Sequence, residues 1–305
     1  MSITSTVTFY LHPKLRKQAE QGKHNFIARM CDVLRAAGQE VLFDKANEMA
    51  RLRAMARPGR GIFLMEKPVN TRSLTIRRTY IGPFWRIEAV PERWDWPVAQ
   101  TVFGPLIVDA EKVANFYRFW QKRLFDDAVQ QTRRDGFIYV PLQGRLTTQR
   151  SFQHTSPIDM IRAVLRHDPT RPVIATLHPS ETYSSEDQQA LDVLATENDR
   201  LFIRKGEPAR YLQTCDYVVT QNSGTAFQGY FFGKPAILFG KSDFHHIALN
   251  VADIGEQAAF DAVLTHKPDY AAYLYWFLQM NAINAGRPEA QDQIATVLRG
   301  HGWPV

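Results

Sequence analysis

Apolar positions along this chain follow two periods, and the segments carrying them alternate. Short runs rich in β-branched and aromatic residues, at 7–11, 40–43, 61–65, 137–142, 173–177, 201–204, 217–220 and 236–239, read as buried strands. Between them lie segments with helical spacing. The clearest carries Phe26, Ile27, Met30, Val33 and Leu34 and stops at Gly38. Further helices are expected over 45–57, 109–133, 157–166, 185–197, 208–214, 226–232, 270–285 and 289–298. Ser156 followed by Pro157 supplies an N-cap and a proline at the first helical position. Residues 68–105 are rich in arginine, tryptophan and proline, and no long regular element is expected there.

Strands alternating with helices predict mostly parallel sheets. The expected class is α/β, with two Rossmann-like domains facing across a cleft, the GT-B type. The opening βαβ unit has no GxGxxG. A boundary near 126–136 gives an N-terminal α/β acceptor-side domain at 1–130 and a C-terminal nucleotide-sugar domain at 131–285. A terminal helix and tail then occupy 286–305.

Candidate chemistry gathers after two strands. In DYVVTQNSGTAFQGYFFGKPAILFG, residues 216–240, a strand meets the polar turn Gln221, Asn222, Ser223, Gly224 and Thr225 before a helix and a second strand. Ligands of open parallel sheets bind at such carboxyl ends. Free amides at a helix start and the hydroxyls of Ser223 and Thr225 suit a phosphate. Capping alone fits Asn222 and Ser223 equally well. A second turn, His178-Pro179-Ser180-Glu181, directly follows strand 173–177 and shifts the balance toward a ligand site.

Composition narrows the partners. The 305 residues are 45% hydrophobic and 22% charged, an ordinary globular balance. A net charge of +6 points to an anionic partner: a nucleotide sugar, an acidic polysaccharide or a membrane surface. No dense basic block or nucleic-acid motif is present, so nucleic acid is not expected. Two unpaired cysteines, Cys31 and Cys215, fit a reducing cytoplasm. No signal peptide is evident, and the late apolar stretch 270–280 is too short to span a bilayer.

The second half resembles the capsular polysaccharide biosynthesis family, which includes bacterial Kdo transferases. The resemblance rests on VPLQ at 140–143, TLHPSE at 176–181, TQNSGTAFQGYFFGKPAILFG at 220–240 and SDFHHIA at 242–248, in that order. It implies a GT-B glycosyltransferase that takes Kdo or a related sugar from CMP and passes it to an anionic glycan or lipid-linked acceptor. It implies no cofactor beyond the CMP-sugar substrate, and a cytoplasmic place, at most peripheral to the inner membrane. The HP pair and the serine-bearing turn are implied to hold the nucleotide and its phosphate. One departure stands out: such transferases carry acidic residues just after the glutamine, whereas 144–150 here read GRLTTQR.

The expected donor-binding set is therefore Gln143, Arg145, His178, Pro179, Lys205, Glu207, Asn222, Ser223, Gly224 and Thr225, although Lys205 and Glu207 fit a solvated loop equally well and Arg145 a surface position. Arg150 also suits an anion but reads better as a surface residue. His24, just before a helix, is either a general base or an N-cap. Glu88, beside Arg86, is either a hidden catalytic acid or half of an ion pair. Tyr80, Phe84, Trp85, Trp94 and Trp96 fit a core or interface better than a sugar platform. Asp243, His245 and His246 lack an evident third partner, so no metal is expected. The competing readings are a catalytically silent nucleotide- or glycan-binding protein and a sugar-nucleotide epimerase.

Overall fold

In a computed structural model the described residues, 6–305, divide into two compact units. One comprises residues 6–98 together with Phe277–Val305; the other is Ala99–Trp276. This differs from the expected boundary near 126–136. Residues 99–130 go with the second unit, and the expected separate tail belongs to the first. The cause is where apolar faces find cover. Helix Ala290–Gly300 buries Ala290, Ile294 and Leu298 in the same core as Phe26, Ile27, Met30 and Leu34 of helix Asn25–Ala36. The expected helix over 270–285 is broken. It runs as an α-helix at Tyr270–Leu274, a π-helical stretch at Tyr275–Met280 and a short strand at Ile283–Asn284.

The first five strands, β1 (Thr6–Leu11), β2 (Glu40–Lys45), β3 (Arg60–Leu64), β4 (Ser73–Arg78) and β5 (Phe84–Glu88), lie in the first unit. The second holds β6 (Ile138–Pro141), β7 (Val173–Leu177), β8 (Leu201–Lys205), β9 (Tyr217–Thr220), β10 (Ala236–Leu238) and β11 (Leu249–Asn250). β12 (Ile283–Asn284) returns to the first. The first sheet runs β12-β5-β4-β3-β1-β2. β1 to β4 are mutually parallel; β5 and β12 are antiparallel to their neighbours. β4 and β5 fall in the segment where no long regular element was expected. Gly82, at φ 51°, and Pro83 sit in the connection between them, and Ile76 pairs with Ile87. The pattern was obscured because buried Arg86 and Glu88 interrupt the apolar run.

The second sheet runs β11-β10-β9-β6-β7-β8, with every neighbouring pair parallel. β6 comes first in the chain. β7 and β8 are laid down on one side of it, and β9 to β11 on the other. The winding therefore reverses between β6 and β9, which makes that gap the topological switch point. Ile138, Val140, Val173, Ala175, Val219 and Ile237 fill the core beneath it. Helix Pro157–His167 starts as expected, with Ser156 Oγ accepting from the Asp159 amide at 3.1 Å. The loop 143–156 is laid across the carboxyl edge. Gln153 bridges Gly240, the Lys241 amide donates to the Phe152 carbonyl at 2.8 Å, and Gln221 Nε2 donates to the Thr155 carbonyl at 3.0 Å.

At the opposite edge, the buried Asp168 accepts from Tyr217 Oη at 2.9 Å and from Arg171 Nη1 at 3.0 Å. Arg171 Nε also reaches Asp216 at 2.7 Å. Burial pushes the Asp168 carboxyl up, but the hydrogen bonds from Tyr217 and Arg171 outweigh it and hold it below the usual carboxylate range. A carboxyl so held stabilises the fold above its ordinary pKa and loses that contribution as pH falls through the folded value. Asp168→Asn should therefore cost roughly 1.5–3 kcal/mol at neutral pH. The gap to the parent should shrink below about pH 4. Melting curves across pH check this; a gap that persists undiminished at low pH would show that the ionised form is not what stabilises.

Candidate functional site at a strand switch point

Because the second sheet is parallel throughout, each strand delivers its following loop to the same edge. Along that edge stand Lys241 after β10, the turn 221–225 after β9, Gln143 to Arg145 after β6, His178 to Glu181 after β7, and Lys205 to Glu207 after β8. The turn 221–225 and Gln143 flank the switch point. His178 lies one strand further on, and Lys205 two.

The β9 turn is built partly for itself. Its helix is short, Gly224–Gly229, passing into a 3-10 turn at Tyr230–Phe232 instead of one helix over 226–232. Ser223 Oγ accepts from the Thr225 amide at 3.3 Å, and the Ser223 carbonyl accepts from Ala226 at 3.0 Å. Two amides of the expected cradle are thus already engaged. Asn222 Nδ2 donates to the Lys241 carbonyl at 2.9 Å, tying the β9 and β10 turns together. Gly224 and Thr225 remain partly exposed at the helix start.

His178 is exposed. Its Nδ1 accepts from the Ser180 amide at 3.2 Å, which leaves Nε2 as the outward atom. A cavity of about 420 Å³ opens beside it, lined by Leu146, Leu177, Pro179, Tyr183, Ile203 and Lys205 among others. Glu207 does not line it. It ion-pairs with Arg210 at 3.0 Å and takes a left-handed φ of 55°. Arg145 is left-handed too, at φ 62°. Such strained non-glycine positions concentrate at functional loops.

At the switch point, Gln143 was expected to bind the donor, whereas Gln221 and Arg150 were left outside that set. Gln143 Oε1 and Gln221 Oε1 are buried without a hydrogen-bond partner among the described residues. So are Arg150 Nε and Nη2, and the Arg150 guanidinium lies 4.9 Å from the centre of the Phe152 ring. Burial, and next the Arg145 charge, pull the Arg150 pKa down, with Glu181 opposing. Arg150 is thus not the surface residue expected; its half-buried donors lack an acceptor. Buried polar atoms without partners in a native fold call for one, and a ligand can supply it. Glu181 also lines the cavity. Its Oε2 lies so close to Gly144 that a Cβ there would stand 2.5 Å away. No sequence signal marks that approach, because it joins the loops of two different strands.

The two catalytic candidates of the first unit carry structural tasks. His24 Nδ1 accepts from the Ile27 amide at 3.3 Å as an N-cap, and its ring meets Trp85 edge-on at 5.2 Å. Burial lowers its pKa, with the Arg78 charge acting in the same direction. Glu88 is buried and pairs with Arg86 at 3.5 Å, an interior rather than a surface pair. It pairs in register with Thr75, three residues along β5 from Trp85, so the two candidates do not share a site. Phe84, Trp85 and Trp96 are core residues. His245 and His246 stack, with ring centres 4.3 Å apart. Among the described residues no group of three His, Cys, Asp or Glu is placed to hold a metal. Nor is any described helix long and apolar enough to cross a membrane.

The model of the family described as "Capsule polysaccharide biosynthesis protein" matches residues 108–286, more than half of the chain. No curated protein matches. Among solved structures, the Thermosulfurimonas dismutans KpsC β-Kdo 2,7 transferase aligns over 96% of this chain and 99% of its own, at 13% identity and a TM-score of 0.54. The β-Kdo 2,4 transferase of the same KpsC aligns over 87% and 88%, at 11% identity and a TM-score of 0.49. The first of these establishes a shared fold.

The cap geometry gives a direct test. Ser223→Ala should lower stability by about 1 kcal/mol, the usual cost of a lost N-cap. Thr225→Ala, whose hydroxyl has no partner among the described residues, should melt within error of the parent. Equal losses in thermal unfolding would refute the assignment of the cap to Ser223.

Proposed function

Because the chain belongs to the capsule polysaccharide biosynthesis protein family, we propose that it is a glycosyltransferase moving Kdo or a related sugar from a CMP-activated donor to a glycan acceptor. The observation that carries the site is the cluster of unpartnered polar atoms at the β6/β9 switch point, above all Arg150 Nε and Nη2. Two free donors on one planar guanidinium match a phosphate or carboxylate. In this reading the donor's charged groups lie between Arg150 and the 222–225 turn. The nucleoside extends past His178 and Pro179 into the cavity at β7 and β8, whose apolar walls and single lysine suit a base and ribose. Gln143 and Gln221 offer carbonyl acceptors to sugar hydroxyls or the exocyclic amine. The preference for CMP rests on the motif resemblance of 140–248. Net positive charge favours an anionic, lipid-linked acceptor and a peripheral place at a membrane surface.

A catalytically silent nucleotide-binding protein is the second reading, favoured by the absence of any acid in 144–150. Turnover separates the two: mass spectrometry of CMP-sugars incubated with the protein should show release of CMP. Calorimetry should give tighter binding of CMP than of UMP or GMP. Arg150→Ala should weaken CMP by roughly 1.5–3 kcal/mol, the worth of a hydrogen bond to a charged group. Arg150→Lys should recover only part of that, because a lysine cannot reproduce the paired contact. Equal affinity for the three nucleotides, or Arg150→Ala binding like the parent, would remove the basis of this reading.

A further inference from the structure

The run after Gln143 has no acid, yet a carboxylate reaches that place from the neighbouring strand. Glu181 stands three residues beyond His178, and its backbone amide donates to the His178 carbonyl at 3.2 Å. This turn folds the side chain back over the β6 loop, where Oε2 approaches Gly144. The approach needs a residue without a Cβ: any other side chain would put an atom 2.5 Å from that oxygen. Gly144 is not in a left-handed conformation, so backbone freedom is not why glycine stands there. The absent side chain is therefore what admits Glu181.

Two further features make this carboxylate chemically available. Among the described residues it has no hydrogen-bond or ion-pair partner, although Arg145 and Arg150 are near enough to act on the same charge cluster. It also lines the cavity together with His178, Pro179 and Lys205, on the side toward the switch point. A surface glutamate with only a solubilising role has no need of a glycine beneath it.

The geometry points to Glu181 as the general base of the transfer, a role that rests on the donor site proposed above. The acceptor hydroxyl oxygen forms its bond to the anomeric carbon, and its proton passes to the Glu181 carboxylate. The bond from that carbon to the phosphate oxygen breaks, and its electron pair leaves with CMP beside Arg150. The carboxylate is thus delivered by the HPSE turn instead of by the segment after the glutamine.

Two substitutions test the assignment independently. Glu181→Gln keeps size and removes the base; kcat should fall by roughly 100-fold or more, the usual worth of general base catalysis, with CMP affinity changing far less than kcat. Gly144→Ala leaves Glu181 in the sequence but displaces its carboxylate. Because the atom met is the far end of a flexible side chain, the protein should fold with the melting temperature of the parent. Its kcat should fall in the same direction. Steady-state transfer from a CMP-sugar, calorimetry with CMP and thermal melts give the three readouts. If the parent turns over and Glu181→Gln keeps its kcat, the assignment to Glu181 is overturned while the functional reading stands. If Glu181→Gln loses CMP affinity in step with kcat, Glu181 is a binding residue and the base assignment is likewise overturned. A parent that binds CMP but turns over no CMP-sugar overturns the base assignment, and one that also fails to bind CMP overturns the donor site with it.

Discussion

The second sheet is governed by one constraint. Parallel strands must all leave at the same edge, and a chain that builds outward in both directions from its first strand must leave a gap beside it. Here that strand is β6, paired with β7 on one side and β9 on the other. Helices cover both faces, so the strands read as unbroken apolar runs. The polar residues that follow them have nowhere to go but the carboxyl edge. Gln143, His178, Lys205 and the 221–225 turn are neighbours for this reason, although up to 82 residues separate them in sequence (225 − 143). The loop 143–156 then lies over the gap, anchored through Gln153 and Phe152 to the end of β10, and brings Arg150 with it.

Much of this was legible from the residues. Strands β7 and β9 and helices Ser185–Glu197 and Pro208–Thr214 fall at the predicted positions, since apolar runs there are bounded by clear capping and proline signals. The α/β class followed from the same alternation. β4 and β5 were missed because Arg77, Arg86 and Glu88 occupy the sheet, and charged residues inside a strand look like loop until their partners are known. The domain limits were missed for a related reason. Nothing local in 286–305 says that Ile294 and Leu298 belong against Met30 and Leu34.

At the site, sequence located the turns but not their division of labour. Ser223 was legible as both cap and phosphate contact, and the structure shows the cap made. Arg150 looked like a surface arginine because its burial comes from Phe152 and the fold of its own loop, which no pattern encodes. Glu181 and Gly144 meet across two strands, so neither predicts the other.

The discontinuity of the first unit has a consequence for synthesis. A nascent chain leaves the ribosome from its amino end, and domains ordinarily fold in the order they emerge. Here β1 to β5 emerge first but lack the helix that covers Phe26, Met30 and Leu34. They must remain incomplete while the whole of 99–276, contiguous in sequence, emerges and folds. Folding order and sequence order are thereby inverted. Phe26, Met30 and Leu34 thus wait for helix Ala290–Gly300 before their shared core is closed.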